Sequence, residues 1–433
     1  MAAGDAAGDR LVHAGHDNPV LYKSPMTTEF LEEDVAIQHE HREPRWKPVV
    51  DVQYCPCFNV LYIYPETRFE PDMLRLDTTK LTPETIAIAK EDERLAIKHV
   101  LVYCIKHRMN VFKINALYGR LRKISERAYQ LKTIDPVAVD GILPMEMLKK
   151  FAPLAQYVVE KMSEGHVKRH GLPDGAKFEQ VDVGTSVPAE WCTVPGASAG
   201  KAFMYVHGGG WFTGSPKASR AFSATIATGA KVRVFSPSYR FYPDHVHPAQ
   251  IDDVTAAYKW LLASGVAARD VVVGGESAGA HLALLLLVRA KHEGFPAPAG
   301  AVLMSPPTDL TMGGASIFPN MPSDPVLGTS GMGVVIQNLI LQAKTDPKDP
   351  GFSPLFADLG GLPPMLVQVS SSESLYSDAT RLVEKVKASG GKATLQEWAG
   401  VQHAFQMEIS RRTKVAAEAC GKIVEFVRQR LGK

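Results

Sequence analysis

The chain carries no surplus of either charge. Its 48 Lys and Arg are nearly matched by 46 Asp and Glu, for a net charge of +2 over 433 residues. Nucleic acid and anionic membrane surfaces select for a basic patch or stripe, so neither is indicated as a partner. No stretch of about 18 apolar residues occurs, and no transmembrane segment is expected. Cysteine is scarce: five scattered residues, an odd number, argue against a disulfide framework and for a reducing compartment. The first ten residues lack the apolar core of a secretory signal, and their aspartates are foreign to a mitochondrial presequence. A cytoplasmic location is the expectation. What is there is ordinary for a soluble globular protein, 45% hydrophobic and 22% charged. The length fits one domain of roughly 300 residues plus an extension.

The pattern along the chain divides it in three. Residues 1–45 are polar, charged and rich in Gly and His, and read as poorly ordered. Residues 46–175 form an N-terminal extension. It opens on an extended stretch, Asp51 to Tyr64, which Pro56 limits to an edge or irregular strand. Thr82-Pro83-Glu84 then offers a helix N-cap with proline at the first helical position. Helical periodicity runs through Ile86, Leu95, Val100 and Ile105, resumes from Phe112 to Leu131, and returns over 142–168 before the break at Gly171-Leu172-Pro173. From residue 176 to 433 the pattern is regular. Strands are predicted at 178–183, 187–194, 202–206, 231–235, 271–274, 300–304, 365–369 and 393–398. Amphipathic runs at 217–229, 249–264, 278–292, 376–389 and 411–431 separate most of them. Such alternation predicts an α/β fold: a mostly parallel eight-stranded sheet with helices on both faces.

Two glycine-rich segments carry the chemistry. The run Val271-Val272-Val273 enters Gly275-Glu276-Ser277-Ala278-Gly279, and an apolar helical run leaves it. A strand-to-helix turn this tight requires nearly side-chain-free neighbours, hence Gly275 and Gly279, and it projects the serine oxygen from the sheet edge. Seventy positions earlier, the apolar strand ending at Val206 runs into His207-Gly208-Gly209-Gly210. Three consecutive glycines cost backbone entropy, and make sense where N–H groups must approach an anion that develops during acyl transfer.

A serine nucleophile needs a base, and the base an orienting acid. In folds with such an elbow they follow in the order serine, acid, histidine, each on a loop after a strand. His403 follows the last predicted strand and is the candidate base. Glu373 and Asp378 both follow the strand 365–369. Glu373 lies on the loop and is favoured; Asp378 falls one turn into a helix, where the dipole alone favours an acid. Glu276 sits on the wrong side of the elbow for this role. A zinc site from His39, His41, Cys55 and Cys57 is conceivable on alternating strand positions, but the spacing is not that of common zinc modules. His245 and His247 are expected to be structural, and His281 to pack or to line a pocket wall.

These residues resemble the hormone-sensitive-lipase-like esterases of the α/β-hydrolase superfamily. The likeness rests on His207 to Gly210; Tyr239-Arg240-Phe241-Tyr242-Pro243-Asp244-His245 with Pro248-Ala249 and Asp252-Asp253; Gly275 to Gly279; Leu362-Pro363-Pro364 through Asp378; and His403-Ala404-Phe405. It covers about residues 176–431. It implies Ser277, Glu373 and His403 as a catalytic triad and the N–H groups of Gly209, Gly210 and Ala278 as the oxyanion hole. It also implies that helices within 82–168 roof a substrate pocket. The chain departs from the family's usual Asp or Thr before the nucleophile, having Glu276, and has Ala280-His281 where Gly-Asn is frequent. The implied activity is hydrolysis of short to medium carboxylic esters, with no cofactor and no metal. An amide or lactone hydrolase of arylformamidase type would use the same groups. A ligand receptor on a hydrolase scaffold would lack a triad member, and none is missing. The extension is the candidate surface for a protein partner or a homo-oligomer.

Overall fold

The computed structural model describes residues 20–23, 51–55, 60–64, 76–109, 111–133, 143–184, 187–329 and 332–432. The segment 1–45 falls almost wholly outside them, as do His39, His41 and Cys57 of the zinc set. The chain groups into two compact units, one built from residues up to 73 with 101–117, the other from 74–100 with 118–433.

In the first unit, β1 (Val20–Lys23), β2 (Asp51–Cys55) and β3 (Val60–Tyr64) make a three-stranded antiparallel sheet in the order β1-β3-β2. The extended stretch expected over 51–64 is thus two paired strands, with Pro56 between them.

The long helices start and stop where local chemistry says they should. α1 (Pro83–Lys106) begins with the Thr82 hydroxyl accepting the Thr85 N–H at 3.1 Å. After α2 (Val111–Leu131) comes α3 (Met145–His170), which ends at Gly171 with φ 72°, a conformation cheap only for glycine. No helix among the described residues is long and apolar enough to cross a membrane.

The second unit is built on an eight-stranded sheet in the order β11-β10-β9-β8-β6-β7-β5-β4. The strands are β4 (Lys177–Val181), β5 (Ala189–Thr193), β6 (Ser198–Val206), β7 (Val232–Pro237), β8 (Val271–Glu276), β9 (Gly300–Met304), β10 (Met365–Ser370) and β11 (Ala393–Trp398). From β7 to β11 every pairing is parallel; β4 and β5 pair antiparallel at the edge. Every residue of β8, β9 and β10 is buried, so both faces of the central sheet are covered. On one face, Phe203, Tyr205, Val232, Val234 and Met304 pack with Phe222 and Ile226 of α4 (Arg220–Ala230) and with Ile423 and Val427 of α10 (Lys414–Arg430). Three further helices follow parallel strands: α5 (Ala249–Ala263) after β7, α6 (Ala278–Glu293) after β8, and α9 (Tyr376–Ala388) after β10. Between β9 and β10 lie two helices that the sequence pattern did not announce, α7 (Ile317–Asn320) and α8 (Met332–Gln342).

The parallel order places the carboxyl ends of β6, β8, β9, β10 and β11 along one edge. Open α/β sheets bind ligands there.

Candidate active site

Ser277 stands between β8 and α6 with φ 52° and ψ −124°, a conformation L-residues avoid unless the surroundings impose it. The surroundings do: its N–H donates to the Met304 carbonyl at 2.8 Å, and its carbonyl accepts from His281 N–H at 3.1 Å. A Cβ on Gly275 would sit 2.4 Å, and one on Gly279 2.0 Å, from the Val206 carbonyl oxygen. The two glycines let the elbow press against the end of β6.

The glycine segment leaves β6 as a tight loop. Gly209, at φ 109°, presents its carbonyl to the N–H groups of Phe212 and Thr213 at 3.1 and 3.0 Å. The N–H groups of Gly209, Gly210 and Ala278 find no acceptor among the described residues. His207 turns away from the site: it stacks on Tyr239 at 4.5 Å and its Nδ1 bonds the Gly208 carbonyl at 2.8 Å, while burial pushes its imidazole down to about 4. Tyr239 donates to the His207 carbonyl at 3.0 Å, and Arg240 fastens that segment to Asp253 at 2.8 Å. The Tyr239–Asp253 motif therefore braces the glycine loop from behind.

From the other side, α3 holds the loop's exit. Gln156 accepts the Gly214 N–H at 2.7 Å and donates to the Gly214 carbonyl at 3.1 Å. Glu276 holds its entry. One carboxylate oxygen accepts the Gly208 N–H at 2.6 Å, and the other accepts the Tyr205 hydroxyl. Burial raises this carboxyl to about 7 against those hydrogen bonds.

His403, on the loop after β11, is buried, and its Nδ1 lies 3.5 Å from Glu373 Oε1. Its Nε2 has no hydrogen-bond partner among the described residues. Burial by itself lowers a histidine, but Glu373, Asp324 and Glu276 together outweigh it and hold His403 above its ordinary value. Glu373 is raised by its own burial, with His403 opposing. Asp378 faces elsewhere: its Oδ2 accepts the N–H groups of Thr308 and Asp309 at 2.7 and 3.0 Å, fixing the loop after β9, and burial raises it to about 7.

An apolar cavity opens onto Ser277. Gly210 and Trp211 line it from the glycine loop; Ile124, Ser125 and Ala128 from α2; Leu310, Ile317, Met321, Leu327, Ile336 and Ile340 from the stretch between β9 and β10. Among the described residues, no three His, Cys, Asp or Glu side chains gather as a metal set.

The model of the α/β-hydrolase fold family matches residues 203–407. An esterase of Acinetobacter venetianus is 36% identical over 230 residues, which cover 53% of this chain and 75% of that one. An acetyl-hydrolase of Streptomyces hygroscopicus is 36% identical over 54% of this chain and 76% of its own. Among solved structures, an esterase of the bacterial hormone-sensitive lipase family superposes with a TM-score of 0.59 at 33% identity, covering 72% of this chain and 98% of that one. The chain belongs to the hormone-sensitive-lipase-like esterases of the α/β-hydrolase superfamily. It is a carboxylesterase-type hydrolase.

Several residues that shape the esterase's site carry no motif. Ser305, at φ 49° after β9, donates to Glu373 Oε2 at 2.9 Å and accepts the N–H of Ala404 at 3.1 Å, bridging the acid and the residue after the histidine. Ser370 donates to the Val401 carbonyl at 2.5 Å, and Ser372 accepts the Gly400 N–H at 3.2 Å. Asp324, fully buried, takes the Ser374 N–H at 2.9 Å. The run Ser370-Ser371-Ser372 was the available signal: hydroxyls in series beside a candidate acid suit loop-to-loop bonding. His281 packs and is absent from the cavity lining; it accepts from Trp211 Nε1 at 3.3 Å and donates to the Phe352 carbonyl at 2.8 Å.

Proposed function

We propose that this esterase cleaves esters of short to medium acyl chain through an acyl-enzyme on Ser277. His403 takes the Ser277 proton as its oxygen attacks the carbonyl carbon. Charge moving onto the carbonyl oxygen is met by the N–H groups of Gly209, Gly210 and Ala278. His403 then protonates the departing alkoxide, and a water molecule, deprotonated by the same imidazole, releases the acid. Glu373 stays ionised, orienting His403 and offsetting its positive charge.

The observation that carries this reading is the placement of Ser277 at an apolar cavity, on the sheet edge where buried His403 stands beside Glu373. A water-poor site strengthens every charge interaction within it. The acyl range is supported by the apolar lining and by relatives named acetyl-hydrolases. Ile124, Ser125 and Ala128 support a roof supplied by the helices within 82–168, and hence a cap within 46–175 preceding a catalytic domain of 176–433. A cytoplasmic location is supported by free, buried Cys104, Cys192 and Cys420, the last two with thiols pushed up to about 12 by burial.

The test is a series of p-nitrophenyl esters from acetate to palmitate, run beside matched amides and lactones. Turnover is expected to peak at or below medium chain length. An amide or lactone cleaved tenfold faster than any ester, or a maximum at palmitate, would overturn the assignment.

A further inference from the structure

The residue before the nucleophile is where this chain leaves its family's usual pattern, and the structure gives that departure a use. Glu276 is 7% exposed and lies between two elements that contribute to the site. Its backbone continues β8 into the Ser277 elbow. Its side chain reaches across to the strand beside it, β6, and to the first residue of the glycine loop. Both carboxylate oxygens are used there, one by Gly208 N–H at 2.6 Å and the other by the Tyr205 hydroxyl. Tyr205 is wholly buried and packs on Phe222 of α4 at 4.8 Å between ring centroids, so the anchor is rigid. The approach is close: a Cβ on Gly208 would lie 2.7 Å from the Glu276 carbonyl oxygen and 3.0 Å from its Oε1.

The next two N–H groups along the loop, on Gly209 and Gly210, are among those that find no acceptor among the described residues. Glycine at three successive positions gives this backbone little stiffness of its own. A donor that stabilises developing charge works only if held within a few tenths of an ångström of its place before the reaction. Something must supply the missing stiffness at the loop's entry, and a carboxylate accepting a main-chain N–H is among the stronger neutral-to-ionic hydrogen bonds available.

We propose that Glu276 is a positioning residue for the oxyanion-stabilising loop. By fixing Gly208 against Tyr205, it aims the Gly209 and Gly210 N–H groups at the carbonyl oxygen as charge develops. This rests on the reading of Ser277 as nucleophile. Glu276 is not among the residues that line the cavity, so its removal should affect the transition state more than the bound ester.

Glu276→Met keeps the side-chain length and removes the acceptors. On p-nitrophenyl acetate it is expected to lower kcat by about 10- to 100-fold with KM within about threefold, since loss of a whole oxyanion donor costs about 100- to 1000-fold. Affinity for a trifluoromethyl ketone, whose adduct with serine carries the same oxyanion, should fall by the same factor as kcat. Glu276→Gln retains one acceptor oxygen for Gly208 and should recover most of both losses. Tyr205→Phe removes only the anchor and should show a smaller matched fall, and it keeps the test open if the methionine variant does not fold. A methionine variant within twofold of wild type would overturn the proposal. So would a fall in kcat with ketone affinity unchanged in every folded variant. Failure of the underlying reading looks different and would defeat both: the wild type would cleave no ester and would bind the ketone no better than Ser277→Ala.

Discussion

The floor and the wall of the cavity are built on opposite plans. The floor, at the carboxyl edge of the sheet, rests on a polar and tightly bonded support: Ser305, Ser370 and Ser372 tie the loops bearing Glu373 and His403 to one another, and Asp324 holds the Glu373 loop through the Ser374 N–H. The wall, made by α2 and the stretch between β9 and β10, meets the cavity mostly with Ile, Leu and Met side chains. Hydrogen bonds fix direction, and apolar contact fixes volume. Reaction geometry therefore belongs to the floor and substrate range to the wall.

The largest break in that division is expected from Ser277→Ala. Removing the nucleophile should abolish labelling by a fluorophosphonate probe and lower turnover by at least roughly a thousandfold. Labelling that persists would place the nucleophile elsewhere. Next is Glu373→Gln, which keeps the volume but offers His403 the wrong partner. Turnover should fall by about three orders of magnitude, somewhat less than when the buried acid of a serine protease is exchanged for its amide. A near-normal rate would remove Glu373 from the reaction.

On the wall, Ile336→Trp should leave acetate hydrolysis nearly intact and cut hexanoate hydrolysis by about tenfold or more, because each methylene excluded is worth about 1–3 kcal/mol. An equal loss on both esters would show that the wall also sets geometry. The acid limb of kcat/KM sharpens the floor. His403 must be unprotonated to act, and its carboxylate neighbours raise it, so activity should fall with decreasing pH around a midpoint above the ordinary histidine value. In Glu373→Gln the principal opposing charge is gone and burial is left to lower the histidine, so residual activity should show a lower midpoint. A midpoint that stays put would contradict the pairing. The smallest effect is expected from Asp378→Asn. It keeps an acceptor for Thr308 and Asp309, so stability should drop by about 1 kcal/mol in thermal melts while turnover stays within a few-fold.

The same division decides what could be read from residues alone. The strands were legible because Val, Ile, Leu and Phe crowd both faces of a covered parallel sheet, and the edges shifted only slightly: β5 runs from 189 to 193, and β6 starts at Ser198 across an irregularity before Ala202. Ser277 and the glycine loop announced themselves because close backbone approach leaves glycine little alternative. Helix α10 begins only at Lys414, under a Thr413 cap, since Arg412 at φ 59° breaks the run expected from 411. Of the wall, α2 was legible from its helical periodicity, but the stretch between β9 and β10 was not. Between Pro306 and Pro364 the chain is dense in Pro, Gly and Met, which hides α8, and no side-chain cap marks α7. Glu276 was legible as an unsuitable triad acid, but its target, Gly208, is near only after β6 and β8 pair.

Gln156 gripping Gly214 says where this enzyme can be divided. All the candidate reactive side chains lie after residue 176, and a gene cut there would encode the whole eight-stranded sheet. Yet the fragment would lack Gln156, leaving both main-chain groups of Gly214 without their partner at the foot of the glycine loop. It would also lack the strap at 77–82, whose main chain meets Pro322, Ser372 and Gly400. Residue 176 is therefore no seam for exchanging parts between related enzymes: anything grafted ahead of the sheet must bring α3 and that strap with it.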